Sequence, residues 1–486
     1  MTNDDLVTLV DELRRRRTEC QWVEFKVNNE NSDTLGNNIS AIANAATLHD
    51  KQEGFIVFGV EDATHNLVGT SFSPGTTKVK HQELENWLTT QFDPRTNFKF
   101  YEINYQNQPL VICIIDAAKL YTIKFKGRAY IRVGSYTKPL SDHPDKERAL
   151  WEKLNKRRFE TELAYKCESS DEVLTLLDYT SMFKLLKVPL PSNKESILEK
   201  LEEEKVVVKK YNKYYITNLG ALLFAADINK FEQLKRKAMR VVVYRGNDKI
   251  SAAKKDQTGS RGYAVGFSGM MGFIDNQLPT NELLGEALRT TRKLYPELAI
   301  REFVANALIH QDFFVEGTGS MVEIFDNRIE ITNPGAPLIP TDRFIDHAPM
   351  SRNEKLAYMM RRMGICEERG SGVDRAVGLC EVYQLPAPDF VKLNTYTRVT
   401  LFAPKTLRQM SKDDKIRAAY QHCSLKYVAN DGLMTNETLR KRFSIEDKNY
   451  PTASGIIADA IDAKLIKPYD PTLKANRHQK YVPYWG

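Results

Sequence analysis

Residues 299–313 read AIREFVANALIHQDF, and the fold turns on how this stretch is read. On an α-helix Glu302, Asn306 and His310 stand four residues apart and share one face. They interrupt an otherwise apolar run of Phe303, Val304, Ala307, Leu308 and Ile309. An amide buried among such residues needs a polar partner. A magnesium ion with phosphate oxygens is one such partner. Asn306 offers it a neutral oxygen ligand, and Glu302 can orient or deprotonate a water. Spacing alone also fits a surface helix with three solvent-facing polar residues.

The downstream residues shift the balance. A strand pair, SMVEIFDNRIEITNPG, ends at Asn333-Pro334-Gly335. Next comes EERGSGVDRAVGLC, where Gly370 and Gly372 open a helix, and bare amides at a helix N-terminus favour phosphate. TYTRVTLF then gives a closing strand that carries Thr400. A glycine turn alone is weak. The ordered series of E-x-x-x-N helix, hairpin, Asn-Pro-Gly, Gly-x-Gly helix and Thr-bearing strand is much stronger.

This series resembles the GHKL-type ATPase fold shared by gyrase B, histidine kinases and the MutL mismatch-repair protein. More closely, it resembles the divergent ATPase domain of bacterial proteins labelled RecG-like or predicted transcriptional regulators. The resemblance implies ATP and Mg²⁺ as cofactors, with Asn306 on the metal and Glu302 as the catalytic base. His310 joins them on the same face. The resemblance also puts Asn333 and Gly335 near the adenine, Gly370, Ser371 and Gly372 at the phosphates, and Thr400 beside the base. Residues Thr341–Arg352 become the lid, with Arg352-Asn353 reaching phosphate. One departure matters: the wider fold has an Asp-x-Gly-x-Gly where this chain has Asn333-Pro334-Gly335. An Asn pairs with adenine only by offering its carbonyl oxygen.

The rest of the chain sets the context. Its 486 residues imply about three or four domains. A net charge of +7 permits a nucleic-acid partner without demanding one. Six scattered cysteines with no C-x-x-C pair point to reduced thiols and a cytoplasmic location. No run approaches a membrane span, and MTNDDLVTLVDELRRRR lacks the apolar core of a secretory signal. No G-x-x-x-x-G-K-[ST] loop is present, which disfavours a helicase.

The expected architecture is α+β and multidomain, with four sections. Residues 1–145 alternate helix and strand. Residues 146–245 read as a long helix, ERALWEKLNKRRFETELAY, then three short helices and a hairpin, a winged-helix-like connector. Residues 246–405 hold the ATPase-like α/β sandwich. Residues 412–486 read as a carboxy-terminal winged helix, with Arg440, Lys441 and Arg442 on its recognition helix and Lys474, Arg477 and Lys480 on its wing.

In the first section, TECQWVEFKVNN places Glu19 and Glu24 around a strand entry with Lys26 on the face of Glu24, and GVEDATHNLVG supplies Asp62. Carboxylates converging at strand ends can bind a divalent metal that activates water against a phosphodiester. Scattered acids on a charged surface give the same pattern. The words E-x-x-x-x-E-F-K, ISAIANA, IVFGVED and YIRVGS resemble the Alba-type domain of the Schlafen family over most of residues 15–140. Members bind nucleic acid, and some cut transfer RNA with two Glu and one Asp. Glu19, Glu24 and Asp62 stand at the matching positions, so Mn²⁺ or Mg²⁺ could bind there. Arg14–Arg17, Lys124, Lys126, Arg128, Arg132 and Lys138, interleaved with Tyr121, Phe125 and Tyr130, suit a phosphate backbone and unpaired bases. A solvated strand face fits as well.

Two functions are in view. One is an ATP-gated DNA-binding regulator, a homodimer by the habit of the gyrase-type fold. The alternative is a metal-dependent nuclease acting on RNA in anti-phage defence, with ATP as its switch. A scaffold with a vestigial nucleotide pocket is the third possibility.

Overall fold

The structure, a computed structural model, describes residues 2–15, 20–29, 31–119, 121–155, 158–210, 213–250, 252–284, 289–367, 371–430, 432–472 and 479–486. The chain divides into two compact units, residues 1–158 with 210–212, and residues 159–209 with 213–486.

In the first unit the run EGFIVF forms the strand Glu53–Phe58, parallel to Val23–Lys26 and antiparallel to Gln108–Asp116. Its side chains alternate between two cores, as a strand of period two must. Phe55 and Val57 pack with Leu6, Leu9 and Leu13 of the helix Asn3–Arg14. Ile56 and Phe58 pack with Ile39 and Ile42 of the helix Ser32–Leu48. Burial on both faces explains why the run is continuously apolar. At Gly54 an added Cβ would sit 2.3 Å from Cγ2 of Ile42, so this single glycine lets the helix approach. A second sheet runs Tyr136–Pro139, Arg128–Val133, Lys124–Phe125, Phe92–Asp93.

The second unit is built on a mixed sheet. Among the described residues its order is Lys255–Thr258, Arg240–Val243, Met321–Ile324, Arg328–Pro334, Tyr396–Phe402, Asp389–Leu393. Arg240–Val243 and Met321–Ile324 pair in parallel and the other neighbours are antiparallel. Ile329, Ile331 and Leu401 share a core with Phe303, Val304 and Leu308 of the helix Glu297–Ile309 and with Ala376 and Cys380 of the helix Gly372–Val382. Buried Glu323 and Glu330 are neutralised by Lys249, Arg328 and Arg398.

The connector departs from its sequence reading at the start. The helix is described over Pro144–Asn155, and Leu163–Lys166, read as part of it, is instead a strand paired with Lys213–Thr217. Tertiary burial overrides helix propensity here: Phe159 enters the core of the second unit, and the Glu160 carboxylate accepts the Leu356 amide in the first turn of the helix Glu354–Arg362. The three helices Ser170–Leu176, Tyr179–Leu186 and Lys194–Glu203 come next, then the strands Val207–Lys210 and Lys213–Thr217. Their apolar residues join the core of the mixed sheet.

The carboxy-terminal module has its own core of Ala419, Cys423, Leu439, Ile456 and Tyr481. It is built from the helices Lys412–Val428, Asn436–Phe443 and Tyr450–Asp462 and the paired strands Ile466–Pro468 and Tyr481–Pro483. The helix Asn436–Phe443 opens with a capping box in which Thr438 takes the place of the usual acid opposite Thr435.

Candidate functional site

The polar face of the helix Glu297–Ile309 opens into a cavity. Glu302, Asn306, His310, Asn333, Arg352 and Gly372 all line it, with Ile309, Ile331, Phe390 and Val399 as apolar walls. The surface-helix alternative therefore falls. Asn306 Nδ2 donates one of its two protons to Glu302 Oε1 at 3.2 Å, which turns the amide's donor end toward that carboxylate. Asn333 is arranged alike: its Nδ2 donates to Pro334 O at 3.1 Å and to His310 O at 3.4 Å. Two amides thus line the cavity, and the carbonyl oxygen of each suits a cation or an amine such as that of adenine.

The electrostatics fit a cation with phosphates. Burial pushes the Glu302 carboxyl above its usual range, and Glu367 adds to the effect. Asp374, in the first turn of the helix Gly372–Val382, is pushed up to about 6 by burial, with Asp346 and Glu367 contributing. Arg301 and Arg375 pull the Glu302 carboxyl back without cancelling the shift, and a bound cation would add to their effect. His310 is pushed down to about 4 by burial and by Arg352, so it is a neutral hydrogen-bonding group at pH 7.

Several predicted residues sit elsewhere. Thr400 faces Glu330 across the strand pair, on the opposite side from Thr397 and Val399, because strand side chains alternate. Thr397 is the threonine at the cavity, and its hydroxyl donates to Gly335 O at 2.8 Å. Gly335 makes the turn beside the cavity, at φ +110°, rather than lining it. The Ser371 hydroxyl donates to Glu367. Arg352 lines the cavity, but its guanidinium donates to His310 O at 3.1 Å and Ala336 O at 2.5 Å. Asn353 donates to Ile309 O and Gln311 O. These two residues brace the loop after the Asn306 helix rather than reach for phosphate. Gly370 lies outside the described residues.

The amino-terminal acids show a different balance. Glu24 is buried and ion-paired with Arg132, while Lys26 Nζ lies 3.4 Å from its Oε1. Burial pushes the Glu24 carboxyl up, Arg132 and Lys26 pull it back, and Asp62 adds an upward push. Arg132 is 1% exposed, so it is an internal counter-charge and no phosphate contact. Phe125 is a core residue, unavailable for stacking on bases. Lys124, Lys126, Arg128 and Lys138 are exposed, with Tyr121 60% and Tyr136 70% exposed. Tyr136 went unremarked in the sequence although it lies two residues from Lys138. Among the described residues no group of three His, Cys, Asp or Glu side chains gathers as a metal centre. Glu19 lies outside the described residues, as do Arg16 and Arg17.

On the candidate recognition helix, Arg442 is buried, donates to Leu385 O at 2.7 Å and lies against Glu381. It is a structural residue, not a groove contact. Arg440 pairs with Asp447 and donates to Asn436 Oδ1 at 3.0 Å. Lys441 is exposed and pairs with Glu437 one turn back. Lys480 is exposed; Lys474 and Arg477 lie outside the described residues.

Comparison with known proteins bears on both regions. No curated protein matches the chain. A solved structure, the DIP2311 protein from Corynebacterium diphtheriae, is 16% identical with a TM-score of 0.42, covering 96% of each chain. No helix among the described residues is long and apolar enough to cross a membrane. Residues 317–401 match the family "Putative ATP-dependent DNA helicase recG C-terminal" (HATPase_c_4), and residues 19–141 match "Schlafen, AlbA_2". The chain therefore joins a segment similar to the Schlafen AlbA_2 domain to a segment similar to the ATPase-type domain of the RecG carboxy-terminal kind.

Proposed function

We propose that the protein binds ATP with Mg²⁺ in the cavity beneath Glu302 and Gly372, and that the nucleotide gates its binding to nucleic acid, as a DNA-binding transcriptional regulator does. One observation carries this reading: Asn306, whose amide donates to Glu302, and Asn333, whose amide donates to two backbone carbonyls, line one cavity. Asn306 would hold the metal, Asn333 the base, and the amides opening the helix Gly372–Val382 the phosphates. Bound Mg²⁺ supplies the positive charge that the surrounding acids and the phosphates share. Exposed Lys124, Tyr136 and Lys138, on one side of their sheet by register, form the face for nucleic acid in the first unit, with exposed Tyr121 and Arg128 nearby in the chain. In the carboxy-terminal module Lys441 and Lys480 do so.

A second reading, metal-dependent cleavage of RNA, is favoured by the closeness of Asp62 to Glu24, felt in the Glu24 carboxyl. The Arg132 and Lys26 cations already hold that carboxylate, which weighs against a metal there. One experiment separates the two. Purified protein is mixed with labelled transfer RNA and duplex DNA, with and without ATP and Mn²⁺, and binding and cutting are read together. ATP-dependent binding without cutting supports the regulator. Cutting that Glu24→Gln and Asp62→Ala abolish supports the nuclease. Absence of ATP uptake sinks both gating schemes.

A further inference from the structure

The segment Thr341–Arg352 supplies much of the cavity wall: Phe344, His347 and residues 348–352 line it, as does Ile339 just before. Asp342 and Arg343 stand between these lining residues, and both are held from the carboxy-terminal module. Tyr484 Oη donates to Asp342 Oδ2 at 2.6 Å. Tyr420 Oη donates to the Asp342 carbonyl, and Trp485 Nε1 donates in turn to Tyr420 Oη at 3.1 Å. The Arg343 guanidinium, fixed by Asp346 at 2.8 Å, lies 4.7 Å from the centre of the Trp485 ring. The bond to Asp342 holds the Tyr484 phenol up at about 12, so it stays a donor at any ordinary pH.

The same module grips the other nucleotide-facing element. Glu381, near the end of the helix whose first residue is Gly372, meets Arg442 at 3.4 Å and His422 Nδ1 at 3.0 Å. Just beyond that helix, Arg442 donates to Leu385 O and Gln421 to Pro388 O, each at 2.7 Å. Tyr420, Cys423, Leu439, Phe443 and Tyr481 belong to one core cluster, so both grips spring from one packed body. A packed body moves as a unit rather than deforming.

We infer that Tyr420, Tyr484 and Trp485 are positioning residues of the nucleotide cavity, a latch by which the carboxy-terminal module sets the place of the lid Thr341–Arg352. The inference rests on reading the cavity as a nucleotide site. Anything that shifts the module, including nucleic acid on its helix Asn436–Phe443, then alters nucleotide affinity, and nucleotide alters the module's affinity by the same factor.

The test uses the full chain and begins without nucleotide. Amide hydrogen exchange across residues 341–352 is compared in wild type, Tyr484→Phe, Asp342→Ala and the double variant. Each single change is expected to speed exchange there by about three- to tenfold, as for a part-exposed hydrogen bond to a carboxylate. The double variant is expected to match the larger single effect, because both changes remove one bond. Exchange in 341–352 that does not change overturns the latch. Exchange that quickens equally throughout 412–428 also overturns it, since Tyr484 then merely supports the module. Mg·ATP is titrated next, and Tyr484→Phe is expected to bind it several-fold more weakly. Equal affinity in the two proteins counts against the latch. If wild type takes up no ATP, the nucleotide reading falls, while the ligand-free comparison decides the latch by itself.

Discussion

A Cβ atom on Gly372 would lie 1.9 Å from Oε1 of Glu302. The glycine at the head of one helix is therefore the space in which the carboxylate of another sits. The sequence presents these as two separate motifs; packing makes them one. Gly372→Ala is expected to fold, because its backbone is ordinary and only a side chain must give way, costing about 1 kcal/mol. The displaced carboxylate and crowded amides should weaken Mg·ATP binding about tenfold or more. Calorimetric titration beside a thermal melt checks this, and unaltered affinity would remove Gly372 from the site.

The departure of Asn333 from the Asp of the wider ATPase fold has a local cause. Its amide protons go to two backbone carbonyls, Pro334 O and His310 O. A carboxylate there would lose both bonds and face two carbonyl dipoles while buried. Asn333→Asp should therefore destabilise the protein by about 1–3 kcal/mol and bring no gain in adenine affinity. Denaturant melts and ATP titration of the variant test it. A variant that is as stable as wild type and binds ATP more tightly would show that the neighbouring carbonyls impose no such demand.

Much of the site was legible in the chain itself. The four-residue spacing of Glu302, Asn306 and His310 gave one helix face, and one cavity receives all three. What stayed hidden was fixed by distant partners. Thr397 and Thr400 are alike in composition, and only the strand's register against Arg328–Pro334 decides which one meets the cavity. Arg132 and Arg442 read as surface cations, yet their partners Glu24 and Glu381 lie far off in the chain and draw them inside. A charged residue's type does not state its burial. The anchoring of the lid by Tyr484 was equally unreadable, since nothing local links YVPYWG to Asp342.

His310 gives a pH signature. In the unfolded chain its imidazole titrates near 6.5, and in the folded protein near 4. Between those values the unfolded state binds more protons, so stability falls as pH drops from about 6.5 towards 4, by up to about 3 kcal/mol. His310→Asn removes that contribution. Melts of ligand-free wild type and variant at pH 7 and pH 5 should show the smaller acid loss in the variant. Equal losses would mean that the imidazole protonates freely in place.

The paired basic residues of the helix Asn436–Phe443 should separate by readout. Arg442 neutralises Glu381 inside the protein, and removing one partner of a buried pair costs about 3 kcal/mol or more. Arg442→Ala should thus lower the denaturation midpoint sharply, and any loss of DNA binding would stem from that damage. Lys441 is exposed and pairs with the exposed Glu437, so Lys441→Ala should leave stability within about 0.5 kcal/mol. If the helix meets a duplex, the same change lowers the salt slope of binding by about one. Stability unaffected by Arg442→Ala would return that arginine to the surface role its position in the sequence first indicated. A salt slope unmoved by Lys441→Ala would take this helix out of the nucleic-acid interface and leave the face of Lys124, Tyr136 and Lys138 to carry it.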